Sequence, residues 1–564
     1  MNNSGTPARN QEHTSWMSNP NINYTPNGAR YTFQGNANWI KEGLNEYSSQ
    51  QNHSVSVTGG SEKTKYFISG GLHTKNGLLK YGPDDFNRTN LRASLNNEIN
   101  NYVDFNINVS YEGTMQEENP YGAENIFGLL YNNLGWQTIK LPEYDTNYNV
   151  NPWNTDYQRN PIRIMKEGGV NRRQHQYVSG IATFRVKNVV EGLTLDMNIS
   201  RRAGFIKEDG EHPLLFSNGR NGSERPAYHV NNPQNTDKMR STSYQDKLEA
   251  LLNYDLRANY HHVHVLAGAS YEEYLNDLIR GIARNGVSNN FFSFNFYDNS
   301  LATNSVLSDA IQPWKMASLF GRVNYDYADR YLLEATLRYD GSSRLAPGNR
   351  WEIFPSISAG WRLSEESFFE SARKNVNNLK LRTSWGQLGN STVLNNDYYP
   401  YIGLVNSSTY FGKPYYYQDQ MVSADITWET VTSTNIGIDM GFLNNRLNVT
   451  ADYYWKKNDN MLSQATMGNL NGYAQNRLPY ENVGILKVWG WELSAEWRDK
   501  IGDVSYRIGI SVDDSQNELV KYQGANTIGA ATIERLEGYP LKTIWGYQTN
   551  GFWSSRQEYL DYKA

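Results

Sequence analysis

Residues 318–327 read SLFGRVNYDY, residues 331–340 read YLLEATLRYD, and residues 355–363 read PSISAGWRL. Successive side chains of an extended chain point to opposite faces. One face of these runs would carry Leu319, Val323, Tyr325, Tyr327, Leu333, Ala335, Leu337, Tyr339, Ile357, Ala359, Trp361 and Leu363. The other face would carry Arg322, Asn324, Asp326, Glu334, Thr336, Arg338, Asp340, Ser356, Ser358 and Arg362. The stretch therefore predicts three neighbouring β-strands with one apolar and one charged face.

Similar alternation recurs along most of the chain. Further strands are predicted near residues 53–58, 65–71, 90–96, 103–112, 174–187, 193–205, 243–258, 261–274, 377–389, 430–442, 446–457, 483–498 and 504–517. About sixteen strands are far more than a common β-sandwich uses, and many are long enough to cross a bilayer when tilted.

Tight and long connections alternate between these strands. Tight turns are predicted at 59–62, 97–101, 188–192, 259–260, 328–330, 443–445 and 499–503, with a somewhat longer link at 365–376. Long connections are predicted at 115–170, 206–240, 275–312, 390–428 and 458–479. Tight turns at one end and long loops at the other are typical of outer-membrane β-barrels, with short periplasmic turns and long extracellular loops.

The composition is compatible with a membrane-spanning β-barrel. The mean hydropathy is -0.71, and no run of about 18 apolar residues predicts a transmembrane helix. Alternating strands average their hydropathy away, so a barrel remains possible. The 41 Tyr and 15 Trp are many for so polar a chain. Such rings suit membrane–water interfaces or the stacking of sugars and peptides.

Several function classes are disfavoured. The 53 basic residues are scattered in a chain of net charge -5, so the sequence predicts no concentrated basic surface for binding nucleic acid. There are no cysteines, so disulfide and thiolate chemistry are excluded. The sequence lacks His-Glu-x-x-His, Gly-x-Ser-x-Gly and a dinucleotide fingerprint, so neither an enzyme nor a cofactor is predicted. His261, His262 and His264 form a cluster, which we interpret as polar residues near a turn because zinc needs three or four ligands.

Four stretches resemble the SusC/RagA family of TonB-dependent outer-membrane transporters of Bacteroidetes-type bacteria. They are residues 55–71, 319–369, 379–390 and 538–551, in the family's order. The resemblance implies part of a plugged, 22-stranded antiparallel transmembrane barrel. It also implies import of an oligosaccharide or peptide, a partner resembling the SusD lipoprotein, surrounding outer-membrane lipid, and energy from TonB through a TonB box that this chain lacks.

The alternation of turns also predicts domain boundaries. Residues 1–51 are expected to be an extracellular loop remnant after a missing first strand, with one short helix around 39–47. Residues 52–517 are expected to be the partial barrel, and residues 518–564 an extracellular loop at which the barrel is truncated. We therefore expect a fragment that lacks the plug and the C-terminal barrel strands.

Aromatic residues in the long connections are the candidate ligand-binding groups. They are Trp136, Tyr144, Trp153, Tyr157, Tyr398, Tyr399, Tyr401, Tyr416, Trp545 and Tyr547. Flat rings among Asn and Asp suit stacking and directional hydrogen bonds to a glycan or peptide. Packing between loops, or contact with a partner protein, is the alternative. Aromatic residues near strand ends are instead expected to form interfacial girdles; these are Tyr111, Tyr327, Tyr339, Trp361, Trp455 and Trp497.

Three functions remain open from the sequence. The first is outer-membrane import. The second is a surface β-rich glycan-binding or adhesin module without transport, in which the aromatic rings would face sugar. The third, a barrel enzyme, would need a nucleophile and a base brought together by folding. A sandwich of two sheets with their apolar faces pressed together would exclude the first function.

Overall fold

The computed structural model describes residues 23–27, 30–34, 38–132, 161–218, 224–226, 233–297, 305–392, 398–465, 473, 477–522, 532–533, 535–546, 548–549 and 551–563. Within these ranges β-structure dominates. The helices are α1 (Trp39–Gly43), α2 (Ala123–Asn132), α3 (Pro161–Glu167) and α4 (Arg556–Lys563). None of the described helices is long and apolar enough to cross a membrane.

Sixteen strands form one antiparallel meander. They are β3 (Gln50–Gly60), β4 (Thr64–Asn76), β5 (Asp84–Asn100), β6 (Val103–Glu118), β7 (Val170–Val186), β8 (Leu193–His212), β11 (Asn235–Ala258), β12 (His261–Arg284), β13 (Ser305–Tyr327), β14 (Tyr331–Ser342), β15 (Trp351–Arg362), β16 (Val376–Asn390), β19 (Glu429–Phe442), β20 (Leu447–Gln464), β21 (Tyr480–Ile501) and β22 (Val504–Lys521). Their order in the sheet follows their order in the chain, from β3 to β22. The number and positions of the strands confirm the predicted all-β fold.

Among the described residues, four small hairpins lie outside this sheet. They are β1 (Asn23–Asn27) with β2 (Arg30–Gln34), β9 (Phe216–Asn218) with β10 (Glu224–Pro226), β17 (Val405–Tyr410) with β18 (Lys413–Gln418), and β23 (Thr532–Ile533) with β24 (Thr543–Ile544). Loop was predicted at each of these positions, and the hairpins correct that prediction. The helix predicted around residues 39–47 is α1.

The chain forms two compact units. The first comprises residues 1–185, 198–248 and 273–313, and the second comprises residues 186–197, 249–272 and 314–564. The first unit has a core of Trp39, Leu79, Ile126, Leu130, Ile162, Ile164, Met165 and Leu215. This core joins α1, α2 and α3 to the connection after β4. The second unit has its own core, described below with the loops that it supports.

Strand register in the second unit keeps the two faces apart. Val323 lies opposite Ala335, which lies opposite Ile357, which lies opposite Trp385. The neighbouring row is polar and runs through Asn324, Glu334, Ser358, Ser384 and Asn435. A shift of one residue would mix the two faces, so the alternation specifies this register.

The apolar face is open. Leu319 is 57% exposed, Leu337 54% and Ile357 48%. In the first unit the exposed strand residues include Val55, Val57, Ile68, Leu91 and Val109. A two-sheet sandwich would have buried these side chains against a second sheet. The sandwich alternative is therefore wrong for the described strands.

Many strands run further than the alternation predicted. β12 was expected to end near residue 274 but continues to Arg284, and β11 begins at Asn235 rather than near 243. A barrel strand needs alternation only where one face meets lipid. Beyond that band the buried face of β11 and β12 carries polar residues such as Thr236, Ser241 and Asn276, which hydrogen-bond to neighbouring strands and give no apolar alternation. Hydrophobic alternation in the sequence therefore locates the lipid-facing band more accurately than it locates the ends of the strands.

The predicted tight turns are confirmed by their backbone. Left-handed conformations occur at Asn188, Asn259, Ala328, Asp329 and Asn444. Asn and Asp tolerate this region better than most residues, which is why such short connections contain them. Long connections join the opposite strand ends.

Aromatic rings follow the turn end of neighbouring strands in the second unit. Tyr327 and Tyr331 have ring centroids 6.3 Å apart, and Tyr331 stacks with Trp361 at 6.3 Å. At the other end of β14, Tyr339 stacks with Trp351 at 4.8 Å. These rings lie where interfacial side chains of a barrel belong.

Candidate ligand-binding loops and charged face

A small apolar core supports the long loops of the second unit. It contains Leu345, Phe354, Ile426, Trp428, Leu462 and Tyr480, with Met316 packed against it. Phe354 meets Trp428 edge to face at 5.4 Å. These residues come from four separate stretches of chain, so burying them together fixes the loops on the ends of their strands.

Hydrogen bonds reinforce this core. The indole Nε1 of Trp428 donates to the carbonyl of Arg350 at 3.0 Å. Asn482 accepts from the backbone N–H of Thr427 at 2.8 Å and donates to the carbonyl of Asn460 at 2.7 Å. Satisfied polar groups of this kind stiffen a loop, because an unpaired buried group is costly. Residues 426–428, which we call the foot of the 391–428 connection, are therefore fixed in position.

Three of the candidate tyrosines lie in the same connection as this foot. The guanidinium of Arg344 lies over the ring of Tyr398, 4.8 Å from its centroid. Arg350 Nη2 donates to the hydroxyl of Tyr401 at 3.4 Å, and Tyr401 meets Tyr399 edge to face at 6.2 Å. Tyr398 and Tyr401 thus contact arginines of the 343–350 connection, and Tyr399 packs against Tyr401. Tyr398, Tyr399 and Tyr401 remain partly exposed.

Tyr416 lies apart on the β17–β18 hairpin, all of whose strand residues are exposed. Tyr416 itself is 74% exposed. Tyr415 and Tyr417 stack on each other at 5.4 Å on the opposite face. Phe411 and Gly412 form the tip with φ of 50° and 73°. Phe411 is 89% exposed, an unusual place for a ring in a left-handed conformation.

Of the remaining candidate ligand-binding residues, Trp545 is described by the structure and the others are not. Trp545 is half-buried and meets Tyr539 edge to face at 4.9 Å. Its Nε1 is buried and finds no hydrogen-bond partner among the described residues. The other candidates lie outside the described residues: Trp136, Tyr144, Trp153, Tyr157 and Tyr547.

The polar face of the second unit lines an open cavity of about 410 Å³. Its lining includes His262, Asn324, Glu334, Lys380 and Arg382. Arg382 is paired twice, with Asp439 at 3.2 Å and with Asp452 at 2.5 Å. In the first unit, Arg172 similarly bridges Glu117 and Glu211. Charges that pair across neighbouring strands characterise a water-facing surface.

The histidine cluster is divided by the sheet. His261 Nδ1 lies 2.8 Å from the hydroxyl of Tyr325, whereas His262 Nε2 lies 2.8 Å from Asp255 Oδ2. His262 and His264 both line the cavity, as expected for residues two apart in a strand. No group of three or more metal-ligating side chains occurs within the part of the chain that the structure describes.

Two parts of the candidate site were not predicted from the sequence. The first is the pair Arg344 and Arg350, which contact the tyrosines from the 343–350 connection. The second is the β17–β18 hairpin, where a loop was predicted. The pair Phe411-Gly412 between two runs rich in hydroxyl and aromatic residues was an available signal, because two-residue hairpins favour glycine in the turn.

The family described as TonB dependent receptor-like, beta-barrel, matches residues 135–563. The chain therefore belongs to the TonB-dependent receptor β-barrel family. TonB-dependent receptor P26 of Formosa agariphila is 24% identical over 540 residues, covering 90% of this chain and 50% of the relative. TonB-dependent receptor SusC of Bacteroides thetaiotaomicron is 30% identical over 260 residues, covering 43% and 25%.

A solved structure of the RagAB peptide transporter has the same fold. Its TM-score is 0.72 at 21% identity, covering 90% of this chain and 55% of that chain. The chain spans about half the length of the curated relatives that it matches. These relatives are TonB-dependent receptors rather than enzymes. The SusC/RagA resemblance, the barrel fold and the outer-membrane location predicted from the sequence are confirmed.

Proposed function

We propose that this chain serves as the barrel wall and outer loops of an importer that takes an oligosaccharide or a peptide across the outer membrane. Import would depend on TonB and on a partner resembling the SusD lipoprotein. In this proposal residues 52–517 belong to the barrel, and residues 1–51 and 518–564 lie on its extracellular side. We propose no catalytic step.

The two-sided sheet carries this proposal. An open apolar face, with Leu337 and Ile357 half exposed, suits lipid. A face on which Arg382 joins two carboxylates suits a watery passage. Long strands with tight turns at one end then leave the large loops together at the other, where a ligand would arrive.

The tyrosine-rich loop supports a cargo of moderate polarity. Tyr398, Tyr399 and Tyr401 present partly exposed rings in the 391–428 connection, and Tyr416 presents an exposed ring on the hairpin. Rings of this kind stack on sugar rings and on peptide side chains, and their hydroxyls give directional hydrogen bonds. Both cargo classes remain in the proposal. We also propose ligand contact for Trp136, Tyr144, Trp153, Tyr157, Trp545 and Tyr547.

Uptake in cells tests the function. A strain without the gene would be complemented with the full-length gene, and accumulation of fluorescent oligosaccharides and peptides would be measured with and without TonB. We expect accumulation of one class, lost without the gene and lost without TonB. Surface binding without accumulation would overturn import and support the glycan-binding alternative.

Two matched variants test the loop. Tyr416→Ala removes a hairpin ring, whereas Tyr47→Ala removes a ring that is 81% exposed elsewhere. We expect Tyr416→Ala to raise the concentration for half-maximal uptake several-fold, as loss of one stacking ring would, and Tyr47→Ala to leave it unchanged. Equal effects would remove the hairpin from the ligand-binding surface while leaving import intact.

A further inference from the structure

The connection from β15 to β16, residues 363–375, differs from the other turns at its end of the sheet. The described neighbours at 101–102, 259–260, 328–330 and 502–503 contain only a few residues each. This connection instead contains two short 3-10 turns, Leu363–Glu365 and Ser367–Phe369. The proposed import function leaves its length unexplained.

A carboxylate organises this connection. Glu366 is 8% exposed, and its Oε1 accepts from Tyr331 Oη at 2.7 Å and from Trp361 Nε1 at 3.0 Å. Arg330 Nη1 lies 3.5 Å from the other oxygen. Tyr331 and Trp361 therefore donate to the same carboxylate, and these hydrogen bonds fix both rings relative to the connection.

The aromatic row of the sheet continues onto the connection. After Tyr327, Tyr331 and Trp361, the next ring is Phe368, which meets Trp361 edge to face at 6.5 Å. Phe368 is 65% exposed. The row thus leads from the apolar strand face, which lies against outer-membrane lipid, to a ring that is mostly exposed.

Several polar groups of the connection are paired within it. Arg373 donates through Nε to the carbonyl of Ser364 at 2.7 Å. The backbone N–H of Phe369 donates to the carbonyl of Glu366 at 3.1 Å, and that of Ala372 to Phe369 at 2.9 Å. A segment with paired backbone groups can approach hydrocarbon, where each unpaired group would be costly.

We propose that residues 363–373 form a lipid-contacting shelf at the turn end of the sheet, with Phe368 inserted at the boundary between headgroups and acyl chains. Glu366 is the positioning residue, because it ties the shelf to Tyr331 and Trp361. The occupant is lipid because the shelf is continuous with the lipid-facing surface. Amphipathic aromatic segments favour this depth.

Single-cysteine labelling tests the shelf, and the chain's own lack of cysteine makes each label unique here. The variants Phe368→Cys, Ile357→Cys and Phe411→Cys would be made in the full-length protein, with any cysteine elsewhere replaced. Each would carry an environment-sensitive fluorophore in lipid vesicles containing nitroxide-labelled phospholipid. Ile357 marks the lipid face, and Phe411 marks the exposed tip of the β17–β18 hairpin.

We expect the label at 368 to be quenched several-fold more than the label at 411, and most strongly by a nitroxide near the headgroup. Equal quenching at 368 and 411 would overturn the shelf. Protection of the label at 368 from both lipid-borne and water-soluble quenchers would also overturn the shelf, because protein would then cover the label. An unquenched label at 357 would overturn the lipid face itself, whereas import of cargo is measured independently.

A second measurement tests Glu366. In the Phe368→Cys background, Glu366→Ala removes the acceptor of both ring hydrogen bonds, and Glu365→Ala is the matched neighbour. We expect Glu366→Ala to weaken the depth preference of the label and Glu365→Ala to preserve it. An unchanged depth profile in Glu366→Ala would remove the positioning role.

Discussion

At the scale of single residues, Glu366 gives a prediction on pH. The hydrogen bond from Tyr331, followed by that from Trp361, holds the pKa of Glu366 below its ordinary value of 4.5. Since this pKa is lower in the folded state, the ionised carboxylate stabilises the fold above the unfolded pKa. The contribution is lost as the pH falls through the folded pKa.

Glu366→Gln should therefore lower the Tm at pH 7, and the difference from the unchanged protein should shrink as the pH falls below the ordinary pKa of 4.5. Thermal unfolding followed by circular dichroism in detergent measures both. Glu365→Gln is the control, because Glu365 is half exposed and meets Arg373 only at 3.7 Å. A Tm gap for Glu366→Gln that persists unchanged at pH 3 would contradict the assignment.

At the scale of one strand, β15 tests which face meets lipid. Ile357 lies on the open apolar face, whereas Ser358 lies on the polar face directly opposite Glu334. Ile357→Arg should destabilise the inserted protein by about 2–4 kcal/mol, the cost of Arg at the bilayer midplane. Ser358→Arg should be close to neutral because the new charge meets Glu334. Denaturant unfolding in lipid vesicles measures the two; equal costs would contradict the two-sided strand.

Strand elements also show what sequence alone can predict. β14 alternates throughout its apolar stretch, so its position and both faces were predictable. The far part of β12 was not, because its buried face carries small and polar residues such as Asn276 and Ala283, and the β17–β18 hairpin was not, because all of its strand residues are exposed. The contacts of Arg344 with Tyr398 and of Arg350 with Tyr401 join separate connections, and no local pattern encodes such a meeting.

At the scale of the whole molecule, the order of connections was predictable because each tight turn has its own chemistry. Asn188 and Asn259 adopt the left-handed conformation that short turns need, and such residues are visible in sequence. The apolar loop core was not visible, since Leu345, Ile426 and Leu462 lie in short, separate segments that no periodic pattern connects. The fold followed from repeated local signals, whereas the candidate site depends on contacts between distant segments.

This order of connections predicts which parts of the protein face the cell exterior. A short epitope inserted between Phe411 and Gly412 lies at the tip of an exposed hairpin on a long loop, and one inserted between Gly502 and Asp503 lies in a tight turn. Because all tight turns share one end of the meander, antibody should bind the first epitope on intact cells and the second only after the outer membrane is opened. As a control, immunoblots of whole cells should show equal amounts of the two epitope-tagged proteins. Binding of the second epitope on intact cells would place the turns outside, and the tyrosine-rich loop could then no longer meet an incoming ligand.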